Sequence, residues 1–412
     1  MQVSQLLASA GASVRSGEPY AELWMGTHPK APSLVASEDG KGVSQSLADL
    51  LRSDPSLLGS RCAHAFDESL PFLFKVLSVA QALSIQSHPD KALAARLHQQ
   101  KPELYPDANH KPEMVLALTP FEALCGFAEL ETLRRILGPE PEGWPEIAEL
   151  SGRAAVDAFL VTEGKDGQKR ALQQVFQNLM TADSERVQAA VERALRRTQD
   201  VSEGSDGKED GAVSSDGSLA SRVGLMRRLQ RQYPGDVGVL CSVLFNYVRL
   251  SPGEAMFLAP NEPHAYVAGN AIECMACSDN VIRAGLTPKA RDTDALCASL
   301  TYAMGPPSVE RGEAVEACAG LRRYPSPFAE FEVWSLNLEA AASVSLPPAQ
   351  GPVIGIVQAG RASGLGGKDG APMELARGRV VFLAAETSLE VESGSEGCQI
   401  FFAACGGMGF AV

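Results

Sequence analysis

The 412-residue chain lacks any long hydrophobic run and has a deficit of positive charge. No apolar stretch approaches the roughly 20 residues that a membrane-spanning helix needs, and residues 1–10 have no basic head of the kind that opens a secretion signal. The net charge of −14 disfavours general binding to nucleic acid or to an anionic membrane, because both depend on summed positive potential. We therefore expect a cytoplasmic protein with no nucleic-acid or membrane partner, in which a local basic cluster would hold any anionic ligand.

Cysteine is sparse as well, with nine residues, an odd number, scattered over the chain. Several of them, such as Cys125, Cys241 and Cys318, lie in apolar strand-like contexts, so reduced core thiols explain them better than a disulfide framework does. The pair Cys274 and Cys277 has a spacing that could bind zinc or do redox chemistry, but no second pair accompanies it. Hydrophobic residues at 45% and charged residues at 21% are typical of a globular protein, and the length predicts two or three domains.

The periodicity of the apolar residues divides the chain into three parts. Short strand-like segments dominate the first 125 residues and return after residue 235, whereas apolar residues at helical spacing fill the part between them. We predict a mainly β protein with a helical insertion and with a second, carboxy-terminal β domain that would be a barrel or jelly roll. The predicted limits are 1–125 with 236–312 for the first β domain, 126–235 for the helical domain and 313–412 for the second β domain.

Local patterns give sharper predictions at three places. Asp90 is a good N-cap for a short helix over residues 90–98. The apolar run at residues 239–244 predicts a strand. Residues 203–218 are acidic and rich in glycine and serine, too poor in apolar groups to order themselves, so they are predicted to form a mobile surface insertion.

The most informative stretch is residues 83–91, which places Ser84, Gln86 and His88 at every second position. In a strand these three polar side chains share one face, while Leu83 and Ile85 point the other way into apolar packing. A polar row inside a buried strand needs a reason. An imidazole and an amide oxygen, joined by a carboxylate and a second imidazole, would make a site for a divalent metal ion such as zinc.

Two distant segments supply the missing groups. Glu113 opens an apolar strand, and Lys111 lies two residues before it, so both side chains can face the same way as the polar row. His264 follows another strand and lies in a turn that Pro260 and Pro263 stiffen. The predicted metal ligands are Gln86, His88, Glu113 and His264.

Charged residues in otherwise apolar surroundings mark a further group. Residues 272–289 contain Glu273, Asp279, Arg283 and Lys289. Charged groups in such a setting are usually paired or functional, and from these residues alone a structural ion-pair network explains them equally well. The local basic cluster that a phosphorylated substrate requires in an acidic protein would consist of Lys75, Lys111, Arg283 and Lys289.

Together these motifs resemble the zinc-dependent type I mannose-6-phosphate isomerase family. The resemblance rests on residues 83–91, 110–114, 261–266 and 273–289, with Tyr20-Ala-Glu-Leu-Trp-Met-Gly-Thr-His-Pro29 upstream, and spans nearly the whole chain in order. It implies a cupin-type β domain that carries one zinc ion, a helical domain inserted between its catalytic strands, and a carboxy-terminal β domain. We also expect a monomer. It also implies interconversion of mannose 6-phosphate and fructose 6-phosphate, which feeds GDP-mannose formation and glycosylation.

By matching positions, the resemblance gives each residue a role. It assigns zinc binding to Gln86, His88, Glu113 and His264. Arg283 matches an essential active-site arginine, and Ser84 and Lys289 match residues that contact phosphate or substrate, to which we add Lys75. The isomerisation also needs a base that removes a proton from a carbon atom of the sugar. Glu273, Asp279, Lys111 and a zinc-bound water all remain open for that role, with Glu273 and Asp279 preferred.

Two alternatives and one departure accompany this interpretation. An iron-dependent cupin dioxygenase would need only two histidines and one carboxylate, which leaves Gln86 and the basic cluster unexplained. A non-catalytic, zinc-stabilised binding or structural protein is the second alternative. Family members usually begin with an additional strand that carries a Tyr-Ala-Trp-Gly-like motif, and residues 1–8 follow the point where it should end. We therefore expect a sheet edge with unpaired backbone groups there.

Overall fold

The computed structural model describes residues 2–37, 42–139, 143–201, 218–366 and 371–411. The predicted mobile insertion, residues 203–218, lies outside these ranges apart from Ser218. No helix within the described ranges combines the length and the apolar character that crossing a membrane requires. The α-helices are α1 Gln2–Ser9, α2 Leu47–Ser53, α3 Ser60–Ala65, α4 Lys91–Gln100, α5 Leu130–Leu137, α6 Pro145–Ser151, α7 Arg153–Val161, α8 Lys165–Met180, α9 Ser184–Arg197, α10 Leu219–Gln232, α11 Val237–Cys241 and α12 Thr293–Ser299.

The β-strands all pair antiparallel. They are β1 Glu22–Met25, β2 Leu34–Ala36, β3 Val43–Ser46, β4 Phe72–Val79, β5 Ile85–Ser87, β6 Glu113–Ala117, β7 Phe121–Phe127, β8 Phe245–Leu250, β9 Ala255–Leu258, β10 His264–Ala276, β11 Ile282–Gly285, β12 Val309–Glu310, β13 Glu313–Ala314, β14 Leu321–Tyr324, β15 Glu332–Leu338, β16 Ser343–Leu346, β17 Val353–Gly366, β18 Ala371–Ala376, β19 Val380–Leu383 and β20 Leu389–Ala404.

The first β domain consists of two sheets that share the long strand β10. Their strand orders are β1-β4-β10-β6-β9-β12 and β8-β7-β10-β5-β11. Gly269 lies where β10 passes from one sheet to the other, at a φ of +112°, and a Cβ atom there would lie 2.5 Å from the carbonyl oxygen of Pro120. Only glycine permits this close approach. The shared strand therefore brings His264, at its start, and Glu273, near its end, to one interior.

Strand β4 is buried on both faces. Phe72, Phe74 and Val76 on one face pack in a core with residues of the second β domain. Lys75 lies on the other face, directly opposite Glu273 of β10. An unpaired buried charge is costly, so a lysine in this position needs a carboxylate opposite it. At the edge of this sheet β1 pairs with β4 alone among the described strands.

The helical insertion forms a bundle between β7 and β8, and its core is continuous with that of the sheet containing β5 and β7. The helical character predicted between residues 126 and 235 is confirmed by helices such as α5 and α9. The strand predicted at residues 239–244 is wrong, because this run forms part of α11 and then a 3₁₀ turn, Ser242–Leu244. Every residue of α11 is buried, and a run that is apolar on all sides shows no period that would separate a helix from a strand.

The second β domain is an eight-stranded sheet in the order β13-β14-β15-β20-β17-β18, with β16 on β20 and β19 on β17. Its residues Ile354, Ile356 and Phe401 pack against the apolar face of β4. The chain passes from the first β domain to the second between β12, which pairs with β9, and β13, which pairs with β14. The predicted fold class, mainly β with a helical insertion, is confirmed, whereas the residue limits of the domains stay a prediction.

The nine cysteines are free thiols, eight of them buried and Cys277 partly exposed. Cys62 and Cys405 lie in the core between the two β domains, with their sulfur atoms 3.2 Å apart. The one cluster of three or more metal-ligating groups found in the described ranges contains no cysteine. The Cys274 and Cys277 pair therefore gains no partners for a zinc site.

Helix α4 begins as its sequence predicts, and replacing its cap should loosen it. The Asp90 carboxylate accepts a hydrogen bond from the Leu93 N–H at 2.9 Å, which holds the pKa of Asp90 below its ordinary value of 3.8. Asp90→Ala should destabilise the helix by about 1 kcal/mol at pH 7. Protection factors of the α4 amides in hydrogen exchange should then fall roughly fivefold.

The effect of pH checks the assignment of this cap. Because the folded-state pKa is lowered, the carboxylate stabilises the helix above the ordinary pKa, and this contribution disappears as pH falls through the lowered value. The difference between Asp90→Ala and the unsubstituted protein should therefore shrink below about pH 4. Equal protection factors in the two proteins at pH 7 would contradict the assignment.

Candidate active site

A polar cavity of about 350 Å³ opens between the two sheets of the first β domain. It lies against the helical bundle at Tyr233 and against the loop that follows β11. Its walls carry far more charge than a protein interior usually does. The residues predicted from the sequence that line it are Lys75, Ser84, Gln86, Lys111, Glu113, Glu273, Arg283 and Lys289.

Two histidines converge on Glu113, which lines this cavity. His88, Glu113 and His264 each present one ligand atom, and these atoms all lie within 4.8 Å of one another. His88 Nε2 is 3.3 Å from Glu113 Oε1, and His264 Nε2 is 3.5 Å from Glu113 Oε2. All three residues are at least 98% buried. The cluster is therefore shielded from bulk water.

Backbone carbonyls fix which nitrogen of each ring is free. His88 Nδ1 donates to the carbonyl of Asn280 at 2.7 Å, and His264 Nδ1 donates to that of Glu262 at 3.1 Å. A carbonyl oxygen can only accept, so each Nε2 is left with its lone pair toward Glu113. Metal-ligating histidines are typically oriented in this way.

The charge states in this cluster also suit a cation. Burial lowers the pKa of His88 to about 4, with the charge of Lys111 acting in the same direction, so its imidazole is neutral at pH 7. Burial alone would raise the pKa of Glu113, but the positive charge of Lys111 opposes this effect, and the pKa lies well below its usual range. Imidazole nitrogens and a carboxylate are ligands that zinc accepts.

The residues present fit a zinc ion. His88 Nε2, Glu113 Oε2 and His264 Nε2 are buried without a hydrogen-bond partner among the described residues, which is costly unless a ligand satisfies them. Two ligand atoms about 2.1 Å from a tetrahedral zinc lie roughly 3.4 Å apart. The 3.5 Å separation of His264 Nε2 from the unpartnered Glu113 Oε2 agrees with this spacing.

The strand register places Gln86 next to a residue of this cluster. It lies directly opposite His264 of β10 on one side and opposite Arg283 of β11 on the other. Side chains opposite one another on neighbouring strands are close enough to interact. The row predicted from alternate positions therefore continues across three strands and brings Arg283 beside the metal cluster.

The cations of the cavity fall into two kinds. Lys75 Nζ lies 2.8 Å from Glu273, and Lys111 Nζ lies 2.8 Å from Glu113, so both lysines are paired. Burial lowers the pKa of Lys75, but Glu273 and Glu22 outweigh it and raise the pKa above its ordinary value. By contrast, the structure gives the Arg283 and Lys289 side chains no hydrogen bond or ion pair with any described residue. Their charge is available to a ligand.

Two sequence predictions need correction. Asp279 does not line the cavity, because its carboxylate lies 2.9 Å from Lys30 Nζ and 3.6 Å from His28 Nε2. This pairing removes Asp279 from the preferred positions for the base. Leu83 was expected in apolar packing, but it is 38% exposed and lines the cavity, because β5 begins only at Ile85.

The sequence did not reveal several cavity residues. Tyr266 follows His264 at the alternate position of β10, and its hydroxyl is buried without a hydrogen-bond partner among the described residues. Burial, with the charges of Glu273 and Glu113, raises its pKa well above the ordinary value, so it stays a neutral donor. The spacing of His264 and Tyr266 was the available signal. Other missed lining residues are Glu22, Tyr233 and Thr287.

Comparison with known proteins identifies this arrangement. Residues 1–130 match the catalytic domain of phosphomannose isomerase type I, and residues 150–245 match its helical insertion domain. Mannose-6-phosphate isomerase 2 of Arabidopsis thaliana is 40% identical over 401 residues, covering 96% of this chain and 86% of the relative. The chain belongs to the type I phosphomannose isomerase family.

Other members agree over similar lengths. Mannose-6-phosphate isomerase of Macaca fascicularis is 38% identical over 419 residues, covering 98% of this chain and 93% of that protein. A crystal structure of a mutant phosphomannose isomerase from Salmonella typhimurium has a TM-score of 0.78 at 29% identity, covering 97% of this chain and 95% of that one. A structure of mannose 6-phosphate isomerase bound with zinc and yttrium has a TM-score of 0.77 at 28% identity, covering 98% and 95%. This chain is accordingly an enzyme of that family.

Proposed function

We propose that the enzyme interconverts mannose 6-phosphate and fructose 6-phosphate in the cavity between the two sheets. The observation that carries the proposal is the set of buried, unpartnered ligand atoms of His88, Glu113 and His264 beside an unpaired cation, Arg283. A sugar phosphate needs a place for its reacting oxygens and a place for its anionic group. The metal cluster with Arg283 beside it suits the first, and the exposed cation Lys289 suits the second.

Zinc is the ion we propose for the cluster, one per chain. Its ligands would be His88, Glu113, His264 and the amide oxygen of Gln86, which lies opposite His264 on the neighbouring strand. A relative of similar fold was crystallised with zinc, which supports the choice. Zinc bound there would act as a Lewis acid toward substrate oxygens that gain negative charge.

The chain's own groups would handle the protons. Isomerisation moves a proton between C1 and C2 of the sugar through an enediolate, so a base must reach the carbon and donors must reach the two oxygens. We propose Glu273 as the base, because its carboxylate lines the cavity, and Lys111 remains a second candidate. Arg283 would stabilise the negative charge of the enediolate, and the Tyr266 hydroxyl would donate to a substrate oxygen.

The phosphate group would lie toward the exposed end of the cavity. Lys289 is exposed there, and Ser84 lines the same wall. Lys75 is buried and paired with Glu273, so we propose that it acts chiefly by holding that carboxylate in place. A cationic lysine at the rim also attracts a dianion from solution, which an acidic protein as a whole would repel.

The broader setting is proposed on the same basis. A cytoplasmic monomer that supplies mannose 6-phosphate for GDP-mannose formation is consistent with this activity. An iron dioxygenase would leave Gln86 and Arg283 without a role. A non-catalytic zinc protein would not need the unpaired cation beside the ligands, because an uncompensated charge near a buried site is costly.

Removal of the metal tests the proposal directly. Purified protein should convert mannose 6-phosphate to fructose 6-phosphate in a coupled assay, lose the activity after treatment with a chelator, and regain it when one equivalent of zinc is added. Iron should not restore it. A folded, zinc-loaded protein without turnover would refute the proposed function, and oxygen consumption with iron would favour the dioxygenase.

A further inference from the structure

The segment that joins α10 to α11 contacts two separate stretches of the cavity wall. At its start, the Gln232 side-chain oxygen accepts a hydrogen bond from the Ala82 N–H at 3.0 Å, and the Tyr233 hydroxyl donates to the Ala82 carbonyl. Ala82 lies two residues before Ser84. Residues of the helical insertion therefore hold the backbone just before the polar row in place through hydrogen bonds.

The second contact is made by Asp236, whose carboxylate accepts three hydrogen bonds. Its Oδ1 accepts hydrogen bonds from the N–H groups of Gly238 at 2.6 Å and Leu286 at 2.7 Å, and its Oδ2 accepts one from Thr287 at 3.4 Å. Thr287 Oγ1 in turn accepts the N–H of Lys289 at 3.1 Å. One half-buried carboxylate thus caps a helix of the insertion and organises the turn that carries Lys289.

The backbone segments at Gly285 and Gly238 are in close contact. A Cβ atom on Gly285 would lie 2.7 Å from the Cα and N atoms of Gly238 and 2.8 Å from Asp236 Oδ1. Leu286, the next residue, has a φ of +53°, a conformation that side chains other than glycine rarely adopt. Its N–H points at Asp236, so the hydrogen bond holds the chain in this unusual conformation as it leaves Arg283.

We propose that Asp236 is a positioning residue for the phosphate subsite: it fixes the turn at residues 286–289 so that Lys289 faces the cavity before substrate arrives. This inference rests on the proposed function, since it takes Lys289 as a phosphate ligand. Holding the turn in advance removes the ordering cost from the binding step. Asp236 touches neither the metal cluster nor Glu273, so its effect belongs in substrate affinity and not in the rate of proton transfer.

The test compares Asp236→Ala with Asp236→Asn, whose amide oxygen can still accept the N–H groups. Asp236→Ala should raise KM for mannose 6-phosphate and the dissociation constant of inorganic phosphate by the same factor, about tenfold, in proportion to the hydrogen bonds lost. Its kcat and zinc content should stay close to those of the unsubstituted protein. Asp236→Asn should recover most of the affinity.

Asp183→Ala is the matched control. Asp183 caps α9 of the same bundle by accepting the N–H groups of Glu185 and Arg186, and it does not line the cavity. The Asp183→Ala variant should lose a helix cap comparable to that of Asp236, while its affinity for inorganic phosphate should not change. An equal loss of affinity in Asp183→Ala, or a fall in kcat with unchanged KM in Asp236→Ala, would overturn the inference.

Two further measurements keep the outcome clear. If Asp236→Ala does not fold, Thr287→Val offers a second test, because it removes the acceptor of the Lys289 N–H. This variant should also bind inorganic phosphate more weakly than the unsubstituted protein. Unchanged phosphate affinity in Thr287→Val would overturn the inference. Phosphate binding by calorimetry needs no turnover. Absent isomerase activity with Asp236-dependent phosphate binding would refute the proposed function and leave the positioning role supported.

Discussion

His88→Ala should abolish stoichiometric zinc binding and reduce isomerase activity to the background of the assay. The substitution removes a proposed ligand whose Nε2 lies 3.3 Å from Glu113 and leaves that buried carboxylate with only His264 beside it in the cluster. Loss of a mere hydrogen-bonding neighbour of a metal ligand costs about 10- to 100-fold in affinity, and loss of the ligand itself should exceed that. Metal content by atomic emission and competition with a chromogenic chelator measure the effect.

The chain offers a closely matched control for this prediction. His98 in α4 also directs Nδ1 to a backbone carbonyl, that of Tyr105 at 2.7 Å, but it lies outside the metal cluster. His98→Ala should therefore keep one zinc per chain and most of the activity. If His88→Ala binds zinc as tightly as His98→Ala does, the assignment of the ligand set is wrong.

The stability of His88→Ala needs separate attention. A carboxylate that is 99% buried beside fewer partners is costly, so part of the loss could come from the fold and not from the metal. His88→Gln keeps a polar group in the same space and should fold better while still binding zinc weakly. Circular dichroism of each variant before and after chelation separates the two effects.

The metal cluster could be predicted from the sequence because its chemistry restricts residue types. His88 directly follows the short strand β5, and Glu113 and His264 each lie at the start of another strand, so pattern and ligand type agreed for these three residues. Gln86 as the fourth ligand stays a prediction. The register that places Arg283 opposite Gln86 could not be read from one chain segment, because strand pairing depends on partners far away in sequence.

Failures of prediction have physical causes of the same kind. Asp279 lies in a charged stretch like Glu273, but its orientation is set by Lys30 and His28, which a local pattern does not reveal. In the sequence Tyr266 resembles any buried aromatic residue of a strand. Only the structure shows that its hydroxyl has no hydrogen-bond partner among the described residues. The cap at Asp236 gave no sequence signal, because the buried helix α11 that follows it has no polar face to show a helical period.

Arg283→Ala should lower kcat by roughly 100- to 1,000-fold, the range found when one preorganised donor to a developing oxyanion is removed. The guanidinium is half-buried, lines the cavity and makes no hydrogen bond or ion pair with any described residue. Its removal therefore breaks no hydrogen bond or ion pair with a described residue, and the protein should fold and bind zinc normally. Steady-state kinetics with the coupled assay, together with metal content, give the comparison.

The variant Arg283→Lys tests whether the enediolate needs only the positive charge of Arg283 or also the arrangement of its hydrogen-bond donors. A lysine restores a positive charge but not the planar fork of donors that Arg283 presents beside Gln86. If the enediolate needs charge alone, Arg283→Lys should recover most of the lost rate, whereas a requirement for two aligned donors should leave it close to Arg283→Ala. Full activity in Arg283→Ala would remove the arginine from the mechanism and leave charge stabilisation to Lys111 and the metal. A rise in KM with unchanged kcat would instead move Arg283 to the phosphate end of the cavity, beside Lys289.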